Sequence, residues 1–152
     1  MKTTLGLTCI LVIGVLTSLC ATATTIGIAL GLDPTGLLLI NALTETPINE
    51  SLELRAEVGL ATNEIAGLML ATATLLYHQT FDVLDPFFGV GLGAAVTPLP
   101  YTTGLVIEGV GGLRVIPMDQ FSLFLQARYL VRWSNGGWTA GPLYEAGVQL
   151  RF

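Results

Sequence analysis

The chain has 152 residues, of which 52% are hydrophobic and only 11% are charged, and its formal net charge is −5. Because an average globular protein carries roughly 25% charged residues, most of this surface is expected to face something other than water. The hydrophobic content excludes a disordered chain, and the shortage of basic residues excludes a nucleic-acid partner. The composition therefore predicts a single-domain membrane protein.

The N-terminus has the three parts of a secretory signal peptide. Lys2 precedes a long uncharged apolar run, which ends in an Ala-Thr-Ala cleavage sequence at Ala23. We expect a cleaved signal peptide over 1–23 and a mature domain over 24–152. The alternative is an uncleaved anchor, because 3–32 contains no charge and an apolar helix of about 20 residues spans a bilayer. Both cysteines fall in the predicted leader, so we expect the mature domain, with its single histidine, to hold no disulfide, metal or other cofactor.

Along the rest of the chain, apolar residues recur at every second position, which is the period of a β-strand. In 121–133 every odd residue is apolar, while the even residues include Ser122, Gln126 and Arg128. The motif Asp33-Pro34-Thr35-Gly36 is typical of a tight turn and separates the first two strands. The predicted strands are 25–32, 37–44, 51–61, 65–77, 87–97, 104–116, 121–133 and a last strand that ends the chain.

An even number of antiparallel strands with short connections and one apolar face is typical of a transmembrane β-barrel. A closed barrel leaves no backbone N–H or C=O unpaired against lipid, because it has no edge strand. We therefore predict an all-β fold: an eight-stranded antiparallel transmembrane β-barrel whose narrow interior is filled with side chains. Two uncharged segments, 65–81 and 86–107, leave inner-membrane helices as an alternative, although the second is rich in proline and glycine.

Alternation along the strands also sorts the charged residues by face. All five arginines of the mature domain and four glutamates fall on the inward face, where their charges would nearly cancel. No charge is left for the lipid face, where Arg or Lys at the midplane costs roughly 2–4 kcal/mol. The predicted lumen ion-pair network consists of Glu53, Arg55, Glu57, Glu108, Arg114, Arg128, Arg132, Glu145 and Arg151. The remaining acids are predicted to lie in connections: Asp33, Glu45, Glu50, Glu64, Asp82, Asp85 and Asp119.

The last residues of the chain, Glu145-Ala146-Gly147-Val148-Gln149-Leu150-Arg151-Phe152, resemble the C-terminal assembly signal of bacterial outer-membrane β-barrels. The similarity lies in a polar residue, a glycine, an apolar residue and a final Phe, here Glu145, Gly147, Leu150 and Phe152. The mature chain is also similar in plan to the small eight-stranded barrels of the OmpA transmembrane-domain and OmpX type. Its segment Pro86-Phe87-Phe88-Gly89-Val90-Gly91-Leu92-Gly93 resembles their aromatic–Gly-x-Gly strand.

This resemblance implies a location in the bacterial outer membrane, with both termini on the periplasmic side. The implied partners are outer-membrane lipid and the barrel-assembly machinery during insertion. An envelope protein is the further partner that an interaction role predicts. Aromatic residues near the strand ends are expected to form a belt at the membrane interface. The predicted belt consists of Tyr101, Tyr129, Trp133 and Trp138.

The sequence favours a non-enzymatic protein with a structural or envelope-interaction role, because no enzyme motif survives inspection. The short predicted outer connections argue against an adhesin or a phage receptor. A narrow transport barrel or a lipid-interacting barrel is the alternative. A less favoured hypothesis is an envelope enzyme, since Arg132-Trp133-Ser134, with Glu145 downstream, faintly resembles the active-site segment of lipid A deacylases. Arg132 takes the position of the histidine that would accept the proton of Ser134, and arginine cannot act as a base. The only histidine, His78, is predicted at the opposite, periplasmic end of its strand.

Overall fold

A computed structural model describes residues 25–62, 67–98, 101–134 and 137–152. The predicted signal peptide, 1–23, and its cleavage site lie outside the described residues. The strands are β1 Thr25–Leu32, β2 Leu38–Pro47, β3 Leu52–Thr62, β4 Gly67–His78, β5 Leu84–Pro98, β6 Tyr101–Met118, β7 Phe121–Ser134 and β8 Gly137–Arg151.

The eight strands form one closed antiparallel barrel in chain order. Each strand pairs with its sequence neighbours, and the barrel closes where β1 pairs with β8, from Thr25 opposite Arg151 to Leu32 opposite Tyr144. The predicted all-β eight-stranded barrel is confirmed. The helical alternative is wrong, because the described parts of both uncharged segments are strands. No helix in the described residues is long and apolar enough to cross a membrane.

Several strands extend further than the sequence pattern predicted, and in two of them the extension includes an acidic residue. β2 continues to Pro47 and β5 begins at Leu84, so Glu45 and Asp85 lie in strands rather than in connections. Glu45 pairs across β2 and β3 with Arg55, and Asp85 pairs across β5 and β6 with Arg114. The prediction for these two acids is wrong because ladder pairing with the neighbouring strands reaches Pro47 at the end of β2 and begins before Pro86 in β5.

The connections divide between two ends of the barrel. We call the end with connections 33–37, 63–66, 99–100 and 135–136 the hairpin end, and the other the terminal end, because β1 begins and β8 ends there. In the first connection the amide of Gly36 donates to the carbonyl of Asp33 at 3.0 Å. Gly36 has φ +86°, a left-handed conformation that glycine adopts without strain. The predicted tight turn is therefore present.

The outer wall of the barrel is apolar. Large hydrophobic side chains point outward along the strands, among them Phe88 with 63% and Leu125 with 66% of its surface exposed. Every charged residue within the strands follows the inward alternation, including Arg132 and Arg151. This surface suits hydrocarbon, because no strand charge has to enter the lipid.

The interior is filled with side chains. A buried apolar cluster includes Leu43, Leu76, Phe87 and Phe124, and a second one lies near the hairpin end, formed by Leu39, Ala61, Leu70, Ala95, Val106 and Leu143. Inward-facing glycines leave room for long polar chains. At Gly91, for example, a Cβ would lie 2.8 Å from Glu108 Oε1 and 2.9 Å from a backbone oxygen.

Candidate functional site

The lumen contains three buried arginines, each held by carboxylates from other strands. Arg114 on β6 lies nearest the terminal end of the three. Its Nη1 is 2.9 Å from Asp85 Oδ2, and its Nη2 is 3.0 Å from Glu45 Oε2 and 3.1 Å from Glu53 Oε2. These partners belong to β5, β2 and β3. One guanidinium therefore ties together strands from separate parts of the barrel wall.

Arg55 on β3 shares Glu45 with Arg114. Its Nη2 lies 2.6 Å from Glu45 Oε1, and its Nη1 donates to Gln126 Oε1 at 2.5 Å. The Arg55 guanidinium also lies 5.0 Å from the ring centroid of Phe87 and 5.5 Å from that of Phe124. Cation–π contacts of this kind are strongest where water is excluded. The apolar cluster and the ionic cluster are thus packed against each other.

Arg128 on β7 is the centre of the second half of the network. Its Nη1 lies 3.1 Å from Glu57 Oε1 and 3.2 Å from Glu145 Oε1, and its Nη2 contacts Glu108. The same Nη2 donates to Thr72 Oγ1 at 3.1 Å. Three carboxylates from β3, β6 and β8 therefore converge on one guanidinium.

Gln126 joins the two halves. Its Oε1 accepts a hydrogen bond from Arg55, and its Nε2 donates to Glu145. Asn41 also donates to Glu145, and Thr74 donates to Glu108. Buried charges persist in proteins when they are paired and their remaining hydrogen-bonding positions are filled. The lumen meets this condition over most of its polar length.

His78 extends the network toward the terminal end. It lies at that end of β4, as predicted, and it is buried in the lumen. Its Nδ1 is 3.0 Å from Asp85 Oδ1, its Nε2 is 3.7 Å from Glu53 Oε1, and Thr80 also donates to Asp85.

The composition of the network differs from the predicted near-neutral set. Glu45, Asp85 and His78 belong to it and were missed, as were the neutral members Asn41, Thr72, Thr74 and Gln126. Continuing the alternation of β2 past 44 would have found Glu45. The described contacts join six carboxylates to three arginines and one histidine, so acidic groups are in excess.

Two predicted members of the network stand apart from it. Arg132 follows the inward alternation but lies near the hairpin end, where its Nη2 donates to Thr102 Oγ1 at 3.1 Å and Thr97 Oγ1 at 3.3 Å. Arg151 is exposed at the terminal end. Within the described ranges neither arginine forms an ion pair. The alternation of residues along β7 and β8 placed both arginines on the inward face, but both lie beyond the reach of the central carboxylates.

The predicted aromatic belt lies on the outer wall at the hairpin end. Trp133 and Trp138 face each other across β7 and β8 with ring centroids 6.2 Å apart, and Tyr129 is exposed on the same face. The side chain of Tyr101 lies outside the described residues. A second outward pair, Tyr77 and Phe88 with centroids 5.3 Å apart, was not predicted.

The residues of the predicted assembly signal have mixed environments. Glu145 belongs to the lumen network, and Gly147 faces Phe124, whose ring leaves no room for a Cβ there. Leu150 and Phe152 are exposed. Their role as an assembly signal remains a prediction.

Ser134, the residue of the enzyme hypothesis, ends β7 at the hairpin end, whereas His78 lies at the terminal end. The only basic residue near Ser134 in its strand is Arg132. Within the described ranges, no group of three His, Cys, Asp or Glu side chains is arranged to hold a metal ion.

Comparisons with known proteins identify the fold. No protein-family model and no curated protein sequence matches the chain. Neisserial surface protein A is similar in structure with a TM-score of 0.65 at 16% identity, covering 84% of this chain and 94% of that protein. The N-terminal β-barrel domain of Pseudomonas aeruginosa OprF is similar with a TM-score of 0.66 at 14% identity, covering 86% of this chain and 98% of that domain.

A third similar structure is PagL, described as an outer membrane enzyme, with a TM-score of 0.60 at 11% identity, covering 84% of this chain and 99% of that one. The fold is therefore that of small eight-stranded outer-membrane β-barrels, as the sequence resemblance implied. Both enzymatic and other barrels share this fold, so it does not by itself assign an activity.

Proposed function

We propose that the protein is a non-enzymatic, non-conducting barrel of the bacterial outer membrane with a structural or envelope-interaction role. The observation that carries the proposal is the filled lumen. The lumen is crossed by three buried arginines and their carboxylate partners: Arg55, Arg114 and Arg128. The apolar cluster that includes Leu39 and Leu70 fills the lumen nearer the hairpin end. A continuous water path would require breaking buried ion pairs, which typically costs 3–5 kcal/mol when one partner is lost.

The short connections support the same role. The strand bounds leave only five, four, two and two residues for the hairpin-end connections 33–37, 63–66, 99–100 and 135–136, which are short for binding a soluble macromolecule. The outer wall presents large exposed hydrophobic side chains along the described strands. Its partners are therefore outer-membrane lipid and a second envelope protein that contacts it from within the membrane, while the barrel-assembly machinery acts on it during insertion.

Ion flux through planar bilayers tests this proposal against the transport alternative. We expect the purified protein to give no conductance above that of a protein-free bilayer. Arg128→Ala, which removes the central guanidinium, is expected to produce intermittent conductance if the variant inserts. Leu125→Ala on the lipid-facing side of the same strand is the matched control and should stay closed. Stable, reproducible channels from the unmodified protein would overturn the proposal.

A further inference from the structure

The barrel wall has a notch at its hairpin end. β1 ends at Leu32, which pairs with Tyr144 of β8, but β8 itself continues on to Gly137. The residues 137–143 pair with β7 on one side and have no ladder partner in β1 on the other. The β7–β8 hairpin therefore extends past the end of β1 by the seven residues 137–143, or roughly 20 Å of strand.

A cavity of about 250 Å³ lies in this notch. It is lined by the first connection (Asp33 and Leu37), by the lumen mouth (Leu39, Leu68, Leu70 and Leu130), by Arg132 and by 139–143 of β8. Six of these residues are leucines, although barrel interiors are usually polar. Small-molecule pockets typically measure roughly 300–1,000 Å³, so this cavity suits one alkyl chain better than a whole two-chain lipid.

Arg132 gives the apolar cavity a cationic group. Unlike the three buried arginines, it has no carboxylate partner in the described residues. Its Nε is buried and has no hydrogen-bond partner there. A guanidinium with a free N–H recognises carboxylates and phosphates through charge-assisted hydrogen bonds. The cavity therefore combines an apolar wall with an arginine whose guanidinium has one N–H without a partner in the described residues.

Asp33, the acidic residue of the cavity lining, accepts hydrogen bonds from groups of its own turn. Its carboxylate accepts from the amides of Thr35 at 2.9 Å and Leu37 at 2.8 Å, and from the Thr35 hydroxyl at 2.7 Å. Its slight burial acts to raise the pKa of Asp33, but these hydrogen bonds together lower it below the ordinary value. Asp33 thus remains ionised to hold the turn, which leaves Arg132 as the group that selects the ligand's charge.

We propose that this notch binds a single-chain anionic amphiphile. The alkyl chain enters sideways between β8 and the β1–β2 connection and lies against the inner leucines, and the carboxylate or phosphate head contacts Arg132. The inference rests on the proposed membrane-embedded barrel, but it does not depend on whether the barrel conducts ions.

Photolabelling in phospholipid nanodiscs tests the proposal. The probe is dodecanoic acid with a diazirine at the chain end, and mass spectrometry locates the adducts. We expect adducts on Leu68, Leu130 and Leu143 inside the mouth, in addition to adducts on lipid-facing residues such as Leu125. The lipid-facing adducts report partition into the bilayer and provide an internal reference for every variant.

Substitution of Arg132 separates binding from partition. Arg132→Gln is expected to lower inner labelling about tenfold, the effect of losing a charge-assisted hydrogen bond, with no change at Leu125. Arg151→Gln removes the exposed arginine of the terminal end and should leave inner labelling unchanged. A matching alkyl phosphate tests the other anionic head, and inner labelling by either anion supports the proposal.

A second variant blocks the cavity without removing charge. A Cβ at Gly141 would meet no atom within 4 Å, so Gly141→Leu can fill the notch from β8. Gly109 is equally open but faces the lipid, and Gly109→Leu is its control. Of these two glycine variants, only Gly141→Leu should lower the labelling of the inner leucines. Two outcomes would overturn the proposal. In the first, an alkyl trimethylammonium of the same chain length labels the inner leucines as strongly as the anionic probe does. In the second, the anionic probe labels the inner leucines of the unmodified protein no more than those of Gly141→Leu. Conductance by the unmodified protein would instead overturn the closed-lumen function and leave this result standing.

Discussion

Arg128 Nη1 on β7 lies 3.1 Å from Glu57 Oε1 on β3, so an ion pair spans the lumen between strands that are not neighbours in the barrel wall. Backbone ladders hold each strand only to the two beside it. Cross-lumen pairs such as this one add direct connections between opposite walls. The stability of the barrel is therefore expected to depend on buried charge as well as on strand pairing.

Arg128→Met should destabilise the barrel strongly. The substitution leaves Glu57, Glu108 and Glu145 buried around a neutral side chain, and losing one partner of a buried ion pair costs about 3–5 kcal/mol. Urea unfolding in phospholipid vesicles, followed by the fluorescence of Trp133 and Trp138, measures the free energy of unfolding. Arg151→Met, at an exposed position, should change it by less than about 1 kcal/mol. Equal losses in both variants would contradict a structural role for the network.

The two glutamates Glu45 and Glu57 should differ in their sensitivity to neutralisation. Glu45 contacts both Arg55 and Arg114, whereas Glu57 contacts Arg128, which keeps Glu108 and Glu145 as partners. Glu45→Gln is therefore expected to cost about 3 kcal/mol. Glu57→Gln should cost less than about 1 kcal/mol, because it removes one of the excess acidic charges and retains an acceptor oxygen. Unfolding of the two isosteric variants under identical conditions checks this order, and a reversed order would refute it.

Glycine is required at Gly91 because of its close approach to the lumen. A Cβ there would lie 2.6 Å from Thr74 Oγ1 and 2.9 Å from the backbone oxygen of Ala73. Gly91→Ala should therefore destabilise the barrel by about 1–3 kcal/mol, the usual cost of overpacking. Gly109→Ala is the control, since its Cβ would meet no atom within 4 Å. The same unfolding assay should show little change for the control, and tolerance of alanine at Gly91 would contradict the described packing.

The C-terminal Phe is predicted to act in assembly rather than in stability. Phe152 is 80% exposed and lies beyond the last ladder pair, so Phe152→Ala should barely alter unfolding of the refolded protein. In cells the same variant should accumulate less folded barrel in the outer membrane. The folded fraction is measured by faster migration of unboiled samples on SDS gels. Leu125→Ala controls for the loss of an exposed apolar side chain, and equal accumulation of both variants would count against an assembly signal.

Alternation along the chain was sufficient to predict the barrel and the inward direction of its charges. Because side chains on a strand point to opposite faces in turn, Arg55, Arg114 and Arg128 were assigned to the lumen from their neighbours alone. The same rule assigned Trp133 to the outer face, and a separate local signal, the Asp33-Pro34-Thr35-Gly36 motif, located the tight turn. These are local properties, decided by residues within a few positions of one another.

Which charged side chains form ion pairs with one another depends on the closed barrel. The partners of Arg128 come from β3, β6 and β8, and their height in the lumen depends on the register of every intervening ladder. Glu45 and Asp85 belong to the network because ladder pairing of β2 continues to Pro47 and ladder pairing of β5 begins at Leu84. Arg132 has no carboxylate partner among the described residues, because it lies near the hairpin end, beyond the reach of the central carboxylates. The sequence by itself determined which face of its strand each residue occupies. Contacts across the lumen depend on how far each strand is shifted along the barrel axis relative to the others. That shift is not encoded in any single strand.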